Sequence, residues 1–137
     1  VSEPKQEELK LKIVSILISH YAEKVRWCLE YCNIEFEEEF DSAIFGILFF
    51  NRSIPTLYNP LSRTIIGNSS DILRYIYGCY NSENDKVSKL LNPTKDNLRM
   101  ESLLDQKLGR AIQRIFYFEL YRNKSLKETM IIAWGSK

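Results

Sequence analysis

Hydrophobic and polar positions alternate in patterns that predict strands in the first half of this 137-residue chain. Residues 13–18 are apolar on both alternating faces, which is typical of a central strand covered by helices on both sides. Residues 35–40 are rich in glutamate, but their two phenylalanines lie on one face, which favours a half-exposed strand over the competing helix. Residues 56–58 and 64–66 predict a hairpin around the turn-forming residues 59–63.

Helical spacing predicts one helix after the first strand and another after the hairpin. From residue 21, apolar side chains recur at helical spacing until Asn33, with charged side chains on the opposite face. The second helix begins in the polar run 68–71 and has a buried stripe that consists of Ile72, Leu73 and Ile76. The free backbone N–H groups of such polar helix starts can bind an anion. The two helix starts together predict a binding site for a small anionic ligand.

The second half of the chain predicts helices alone. Residues 78–93 contain Gly, Asn, Ser and Pro, and we interpret them as a linker and the domain boundary. Apolar residues then recur at helical spacing up to residue 120, which predicts one long amphipathic helix. Ser125 and Glu128 have the spacing of a capping box, which predicts a short last helix that ends near Gly135.

Three sequence motifs follow one another in the first half of the chain. They are Ser-His-Tyr at 19–21 with Lys-Val-Arg at 24–26, Ile-Pro-Thr-Leu at 54–57, and Asn-Ser-Ser-Asp-Ile-Leu-Arg-Tyr at 68–75. In this order they resemble the glutathione S-transferases. The resemblance implies an α/β fold, with a thioredoxin-like glutathione-binding domain at 10–78 that has a four-stranded mixed sheet and flanking helices. An all-α segment at 93–137 would then be a partial version of the helical C-terminal domain.

The same resemblance gives the catalytic role to Ser19, between the first strand and the first helix. A hydroxyl there can donate a hydrogen bond to a bound thiolate while the helix dipole adds positive potential, and both effects lower the pKa of the thiol. The alternative is that Ser19 only caps the helix, as serine often does. His20 stands where the family usually has proline, and no acid is placed to orient it as a base.

The resemblance also implies residues that bind glutathione. Ile54 and Pro55 match the family's cis-proline step, where the Ile54 backbone would pair with the cysteinyl backbone of glutathione in the manner of strand addition. Asn68 and Ser69 match the pair that holds the γ-glutamyl carboxylate at a helix N-terminus. Asn68 stands where the family usually has Glu or Gln. Because its side chain is neutral, it cannot form an ion pair with the γ-glutamyl ammonium. The alternative role of Asn68 is to cap the helix. Arg52 would substitute for the family's usual basic residue, which is missing one position later.

Residues 43–50 form the most apolar segment of the chain and carry no charge. The resembled family has a short, mostly polar helix in this region. Two interpretations stay open: an element buried within the chain, or an exposed patch that docks onto a second copy or another protein partner.

Composition excludes some partners and sites. Nineteen basic and eighteen acidic residues leave a formal charge of +1, which predicts no nucleic-acid partner. No apolar run reaches the roughly 20 residues of a transmembrane helix. The spacing of the three cysteines and the single histidine predicts small buried thiols in a reducing compartment and no metal site. We expect the cytoplasm, or an organelle after removal of a targeting segment.

The predicted function is that of a glutathione S-transferase-like protein, which binds glutathione as co-substrate and stabilises its thiolate for attack on an electrophile. The alternative is a non-catalytic, transferase-like subunit that serves as a protein-interaction platform in a larger complex. His20, Asn68, the segment 43–50 and the short helical region all favour that alternative. A cysteine-dependent glutaredoxin is the third interpretation, but Ser19 occupies the position of the nucleophile.

Overall fold

The chain divides into two compact units, Val1–Asn92 and Pro93–Lys137. The computed structural model describes residues 10–16, 19–40 and 54–135, with their side chains except those of 40 and 130–135. In these ranges the first unit contains a sheet with helices, and the second unit is helical.

Four strands form the sheet of the first unit. In chain order they are β1 (Leu11–Ser15), β2 (Phe36–Phe40), β3 (Thr56–Asn59) and β4 (Thr64–Gly67). Their order across the sheet is β2-β1-β3-β4, with β1 parallel to β2, and β3 antiparallel to both β1 and β4. The prediction of a four-stranded mixed sheet followed by helices is confirmed, and the fold is thioredoxin-like α/β.

β1 is an interior strand, as predicted, but its two faces are covered unequally. Leu11 and Ile13 are buried in the core, whereas Lys12 and Val14 on the other face are only half-buried. Lys12 Nζ lies 3.6 Å from the carboxylate of Glu37 on the neighbouring strand. The second face of the sheet therefore carries charge pairs between strands rather than apolar side chains alone.

Two helices, α1 (His20–Tyr31) and α2 (Ser69–Tyr80), pack against each other and against the sheet. Their buried apolar side chains, as the helical spacing predicted, are Ala22, Val25, Cys28, Leu29, Ile72, Leu73 and Ile76. Each fully buried valine, leucine or isoleucine among them contributes about 1.5 to 3 kcal/mol to stability. Asn33 ends α1 with a φ of 55°, and the N–H of Ile34 then donates to the Leu29 carbonyl at 2.9 Å.

The predicted linker at 78–93 is wrong. α2 continues to Tyr80, and a further helix, α3 (Asp85–Leu90), places Val87 in the core at 0 % exposure. The first compact unit accordingly continues to Asn92.

Asn84 explains why α3 forms in this polar stretch. Its Oδ1 accepts hydrogen bonds from the backbone N–H groups of Lys86 and Val87, at 3.1 and 3.2 Å, and so caps the helix. Its Nδ2 donates to the carbonyl of Cys32 at 2.8 Å. The same amide therefore starts α3 and ties it to the end of α1.

The second unit is helical throughout its described residues. α4 (Lys95–Leu103) continues through a π-helical turn (Leu104–Gly109) into α5 (Arg110–Arg122), and α6 (Lys124–Gly135) follows. The all-α prediction is confirmed. The π-helical turn interrupts what the apolar spacing predicted as one regular helix.

The predicted capping box of the last helix is wrong. The Oδ1 of Asn123 accepts a hydrogen bond from the N–H of Leu126 at 3.1 Å, so the helix is capped two residues before Ser125. Glu128 instead lies on the helix surface, with its carboxylate 3.9 Å from Lys124 Nζ.

Apolar side chains of the second unit are largely exposed. Neither α4 nor α5 contains a buried side chain. The exposed set includes Leu98, Leu104, Leu108, Ile112, Ile115, Phe118 and Tyr121, the last at 76 %. The apolar stripe that the sequence predicted is therefore not buried by the described residues.

Candidate functional site

One row of the sheet register aligns the ends of three strands. Val14 of β1 pairs with Thr56 of β3, and Thr56 pairs with Gly67 of β4. Because β3 runs antiparallel to its two neighbours, this row lies at the end of β1, the start of β3 and the end of β4. The segments that leave these three strand ends therefore start from the same edge of the sheet.

These segments carry five of the residues that the sequence assigns to the site. Ser19 follows β1, Ile54 and Pro55 precede β3, and Asn68 and Ser69 follow β4. Local motifs that are far apart in the sequence are thus brought to one edge by the strand order.

Ser19 is the N-cap of α1. Its Oγ accepts a hydrogen bond from the N–H of Ala22 at 3.1 Å, which is the capping role that the sequence left open. Since a hydroxyl can accept and donate at once, this bond leaves the Ser19 hydrogen able to donate. The ring of His20 lies 4.0 Å from that of Tyr21, and its Nε2 is buried without a hydrogen-bond partner among the described residues.

The peptide bond between Ile54 and Pro55 is cis, which confirms what the resemblance implied. Pro55 is buried and Ile54 is half-buried. Thr56, the first residue of β3, follows directly and belongs to the register row described above. This step therefore lies at the sheet edge itself.

Asn68 and Ser69 form the start of α2. Asn68 has a φ of 69°, and its Oδ1 accepts a hydrogen bond from the N–H of Ser70 at 3.1 Å, so it is the N-cap of the helix. Ser69, the first residue of the helix, is only 2 % exposed.

Lys24 brings a cation to the same helix start. Its Nζ lies 3.4 Å from the Oγ of Ser70, so α1 reaches across to the first turn of α2. The helical spacing places Lys24 on the charged face of α1 and gives no sign of this contact. Only the packing of α1 against α2 reveals it, because the two residues lie 46 positions apart.

Residues 18–78 match the family model for the glutathione S-transferase N-terminal domain. The matched range contains both helix starts and the Ile54–Pro55 step. The first unit is a glutathione S-transferase-like N-terminal domain. No curated protein and no solved structure gives a significant match to the chain.

Inside this transferase-like domain, Arg26 and Glu38 form an ion pair. Arg26 Nε and Nη2 donate to the two carboxylate oxygens of Glu38 at 2.8 and 2.6 Å, and the buried Ser15 hydroxyl donates to the same carboxylate. The side chains of Arg26 and Glu38 are 19 % and 13 % exposed. The hydrogen bonds from Arg26, and after them the one from Ser15, hold the pKa of Glu38 below its ordinary value although burial opposes this shift.

The helical spacing placed Arg26 on the charged face of α1, opposite the apolar side chains, and did not predict its pairing with Glu38. Period-two alternation along β2 puts Glu38 on the same face as Phe36, and Phe36 packs against the core. The ion pair therefore connects α1 to β2 inside the first unit. It fixes the helix from which Ser19 and Lys24 extend toward the sheet edge.

The three cysteines of the chain are free thiols. Cys28 and Cys32 are buried, as predicted, whereas Cys79 is exposed. Burial raises the pKa of the Cys32 thiol, which keeps it protonated and unreactive at neutral pH. This supports the interpretation of the buried pair as small core residues.

Some predictions concern parts of the chain outside the described residues. Arg52 and the segment 43–50 are among them, and their roles stay predictions. Within the described ranges, no group of three or more His, Cys, Asp or Glu side chains could hold a metal ion. In the same ranges, no helix combines the length and the apolarity needed to cross a membrane.

A cavity of about 390 Å³ opens at the opposite end of the sheet of the transferase-like domain. Among its lining residues, Lys10 pairs with Glu35 at 3.3 Å, and the Asn59 amide donates to the Tyr75 hydroxyl at 2.8 Å. These polar groups already satisfy one another.

Proposed function

We propose that this protein binds glutathione at the sheet edge of its first unit and stabilises the glutathione thiolate for attack on an electrophile. The observation that carries the proposal is the strand register, which brings Ser19, the Ile54–Pro55 step and the Asn68–Ser69 pair to one edge. The match to the transferase N-terminal domain at 18–78 supports glutathione as the co-substrate.

Ser19 is the residue that would stabilise the thiolate. Its Oγ accepts from the Ala22 N–H, which leaves its O–H able to donate to a thiolate. The N-terminus of α1 adds positive potential at the same place. Each unit by which the thiol pKa falls corresponds to about 1.4 kcal/mol, which one hydrogen bond to a charged group can supply.

The rest of glutathione would be held by backbone and by the start of α2. The backbone of Ile54 precedes β3 and would pair with the cysteinyl residue as an added strand does. The buried Ser69 hydroxyl would donate to the γ-glutamyl carboxylate, and the N-terminus of α2 would add positive potential there.

Calorimetric titration of the folded protein with glutathione at neutral pH tests this proposal. We expect binding by the wild type, and a loss of about 1.5 to 3 kcal/mol in Ser69→Ala, the value of a hydrogen bond to a charged group. Ser82→Ala, which changes an exposed serine of the same unit, is the control and should bind as the wild type does. If Ser69→Ala and the wild type bound glutathione with equal affinity, Ser69 would not belong to the binding site.

A second candidate function is the non-catalytic interaction platform, which the exposed apolar side chains of α5 favour. Ile115, Phe118 and Tyr121 are all more than half exposed. Patches of this kind commonly mark protein contacts. A wild-type protein that binds no glutathione but associates through this helix would be a platform, and Phe118→Ser with Tyr121→Ser should then abolish the association.

A further inference from the structure

We infer that an exposed, arginine-rich face of α5 binds the surface of an anionic lipid membrane. The residues that form this α5 face are Arg110, Arg114, Phe118, Tyr121 and Arg122. The proposed glutathione site lies in the first unit, so the membrane contact goes beyond it and depends on other residues.

Helical spacing places these five side chains on one side of α5. Four of them follow one another at intervals of four residues, and Tyr121 lies three residues after Phe118. The guanidinium carbon of Arg122 lies 5.3 Å from the centre of the Phe118 ring, so these two side chains adjoin. Phe116 and Leu120, on the opposite side of the helix, are only partly exposed. The α5 face is therefore the outer side of the helix.

The aromatic side chains of the α5 face are exposed although they are large and apolar. Phe118 is 57 % exposed and Tyr121 is 76 % exposed. The aliphatic residues Leu108, Ile112 and Ile115, on the same helix and the turn before it, are exposed as well. Exposed apolar side chains grouped in this way commonly mark a contact site. The partner must therefore bury apolar side chains and also accept arginines.

The distribution of charge favours an anionic partner for the second unit. α5 carries three arginines and a single acid, Glu119. The second unit has nine basic and five acidic residues, whereas the first unit has ten basic and thirteen acidic residues. The nearly neutral chain thus combines an acidic first unit with a basic second unit. Only the second unit is attracted to an anionic surface.

An anionic bilayer suits both the arginines and the apolar side chains of this helix. Guanidinium groups bind lipid phosphates and carboxylates, and aromatic side chains prefer the depth of the lipid headgroups. Helices that combine basic and aromatic residues in this way lie in the membrane interface. A nucleic acid would bind the arginines but offers no apolar phase for the exposed leucine and isoleucine side chains. A second copy of α5 would bring arginines against arginines.

Flotation of the full chain with lipid vesicles tests this membrane contact. One set of vesicles contains phosphatidylcholine with about a quarter phosphatidylserine, and the other contains phosphatidylcholine alone. We expect the wild type to bind the phosphatidylserine vesicles at least about tenfold more tightly than the neutral ones. This binding should weaken as the salt concentration rises, because salt screens the arginines.

Two double variants separate the effect of charge from that of apolar burial. Arg110→Gln with Arg114→Gln should bind the phosphatidylserine vesicles at least about tenfold more weakly than the wild type. Phe118→Ser with Tyr121→Ser leaves the charge unchanged, and we expect it to lose about as much affinity, because it removes the aromatic side chains. Circular dichroism checks that each variant keeps the helix content of the wild type.

The matched control removes two cations from the first unit instead. Arg63→Gln with Lys89→Gln changes two exposed side chains and lowers the net charge by the same amount as the arginine double variant. It should bind the phosphatidylserine vesicles as the wild type does. Equal losses in the control and in the arginine double variant would mean that net charge alone causes binding, and would contradict a role of the α5 face.

Other results would overturn membrane binding altogether. One is a wild type that binds neither kind of vesicle, or both kinds equally. Another is a wild type that prefers a single-stranded oligonucleotide to the phosphatidylserine vesicles, which would assign the α5 face to a nucleic acid. A third is self-association without vesicle binding, abolished by Phe118→Ser with Tyr121→Ser, which would assign the face to a second copy. Glutathione titration of the same variants keeps the outcome for the first unit separate.

Discussion

At the residue scale, the Glu38 carboxylate lies inside the first unit although β2 is mostly charged. Arg26 reaches it from α1 with two hydrogen bonds, and Ser15 reaches it from β1. The pKa of Glu38 is lowered, so the folded protein binds fewer protons at this group than the unfolded chain does. Its stabilisation is therefore fully present above the ordinary carboxyl pKa of 4.5 and is lost as the pH falls through the lower folded value.

We predict that Glu38→Gln lowers the free energy of unfolding at neutral pH by about 1 to 3 kcal/mol, because Arg26 loses its charged partner. The variant should also lose part of the decline in stability that the wild type shows below about pH 4.5. Denaturant unfolding at neutral and acidic pH measures both effects.

Glu39→Gln is the matched control, since Glu39 is the next residue of β2 and is 63 % exposed. Its change in the free energy of unfolding should stay within about 0.5 kcal/mol. Equal effects of the two substitutions would mean that the ion pair with Arg26 does not stabilise the fold.

Ser19 combines a structural role with the proposed chemical one, and two substitutions separate them. Ser19→Ala removes the helix cap and should cost about 1 kcal/mol, whereas glycine at an N-cap costs only a few tenths. Both remove the hydroxyl, so both should reduce turnover of a generic electrophile by about tenfold or more. Normal turnover in Ser19→Gly, measured beside its stability, would show that Ser19 only caps α1.

At the scale of elements, local signals predicted the parts of the fold that depend on local interactions. The hairpin and the two helix starts follow from turn and capping residues, and the buried stripe of Ile72, Leu73 and Ile76 follows from helical spacing. α3 was missed because it has six residues and one fully buried side chain, Val87, in a polar stretch. Its cap, Asn84, resembled a loop residue.

Asn84 is predicted to stabilise the first unit through two separable bonds. Asn84→Ala loses both the cap of α3 and the bond to the Cys32 carbonyl, and should cost about 1 to 3 kcal/mol. Asn84→Asp keeps the cap but cannot donate to Cys32, so its loss in the free energy of unfolding should be intermediate. If Asn84→Asp were as destabilised as Asn84→Ala, the cap would contribute nothing.

At the scale of the whole molecule, the core cluster formed by the described residues lies in the first unit. All of its core cluster, from Leu11 to Leu91, falls within Val1–Asn92. The described helices of the second unit leave their large apolar side chains exposed. Short helices gain most of their stability from packing, so the two units should differ in their ability to fold alone.

We predict that a fragment of residues 1–92 unfolds cooperatively, whereas a fragment of residues 93–137 shows little helix at low concentration. Circular dichroism during thermal unfolding tests both. Helix in the second fragment that increases with protein concentration would mean that its apolar stripe is buried by association. Cooperative, concentration-independent unfolding of that fragment would contradict the prediction.

Part of the site could be predicted from the sequence, because its motifs form their local structure from residues that are close together in the chain. The cis step at Ile54–Pro55 and the polar start of α2 were predicted on residues close together in the chain. Lys24 and Glu38 were not, because each acquires its role from a partner on another element. Charge patterning along one helix or strand does not contain that information.

We propose that glutathione binds at the sheet edge formed by the ends of β1 and β4 and the start of β3. Mapping of glutathione onto the backbone amide NMR signals of the isotope-labelled protein tests it most directly. We expect shifts that cluster at the start of α1, at Ile54 and Thr56, and at Ser69 and Ser70, and that saturate with one affinity. Unchanged signals there, or shifts confined to the cavity beside Asn59 at the other end of the sheet, would contradict it.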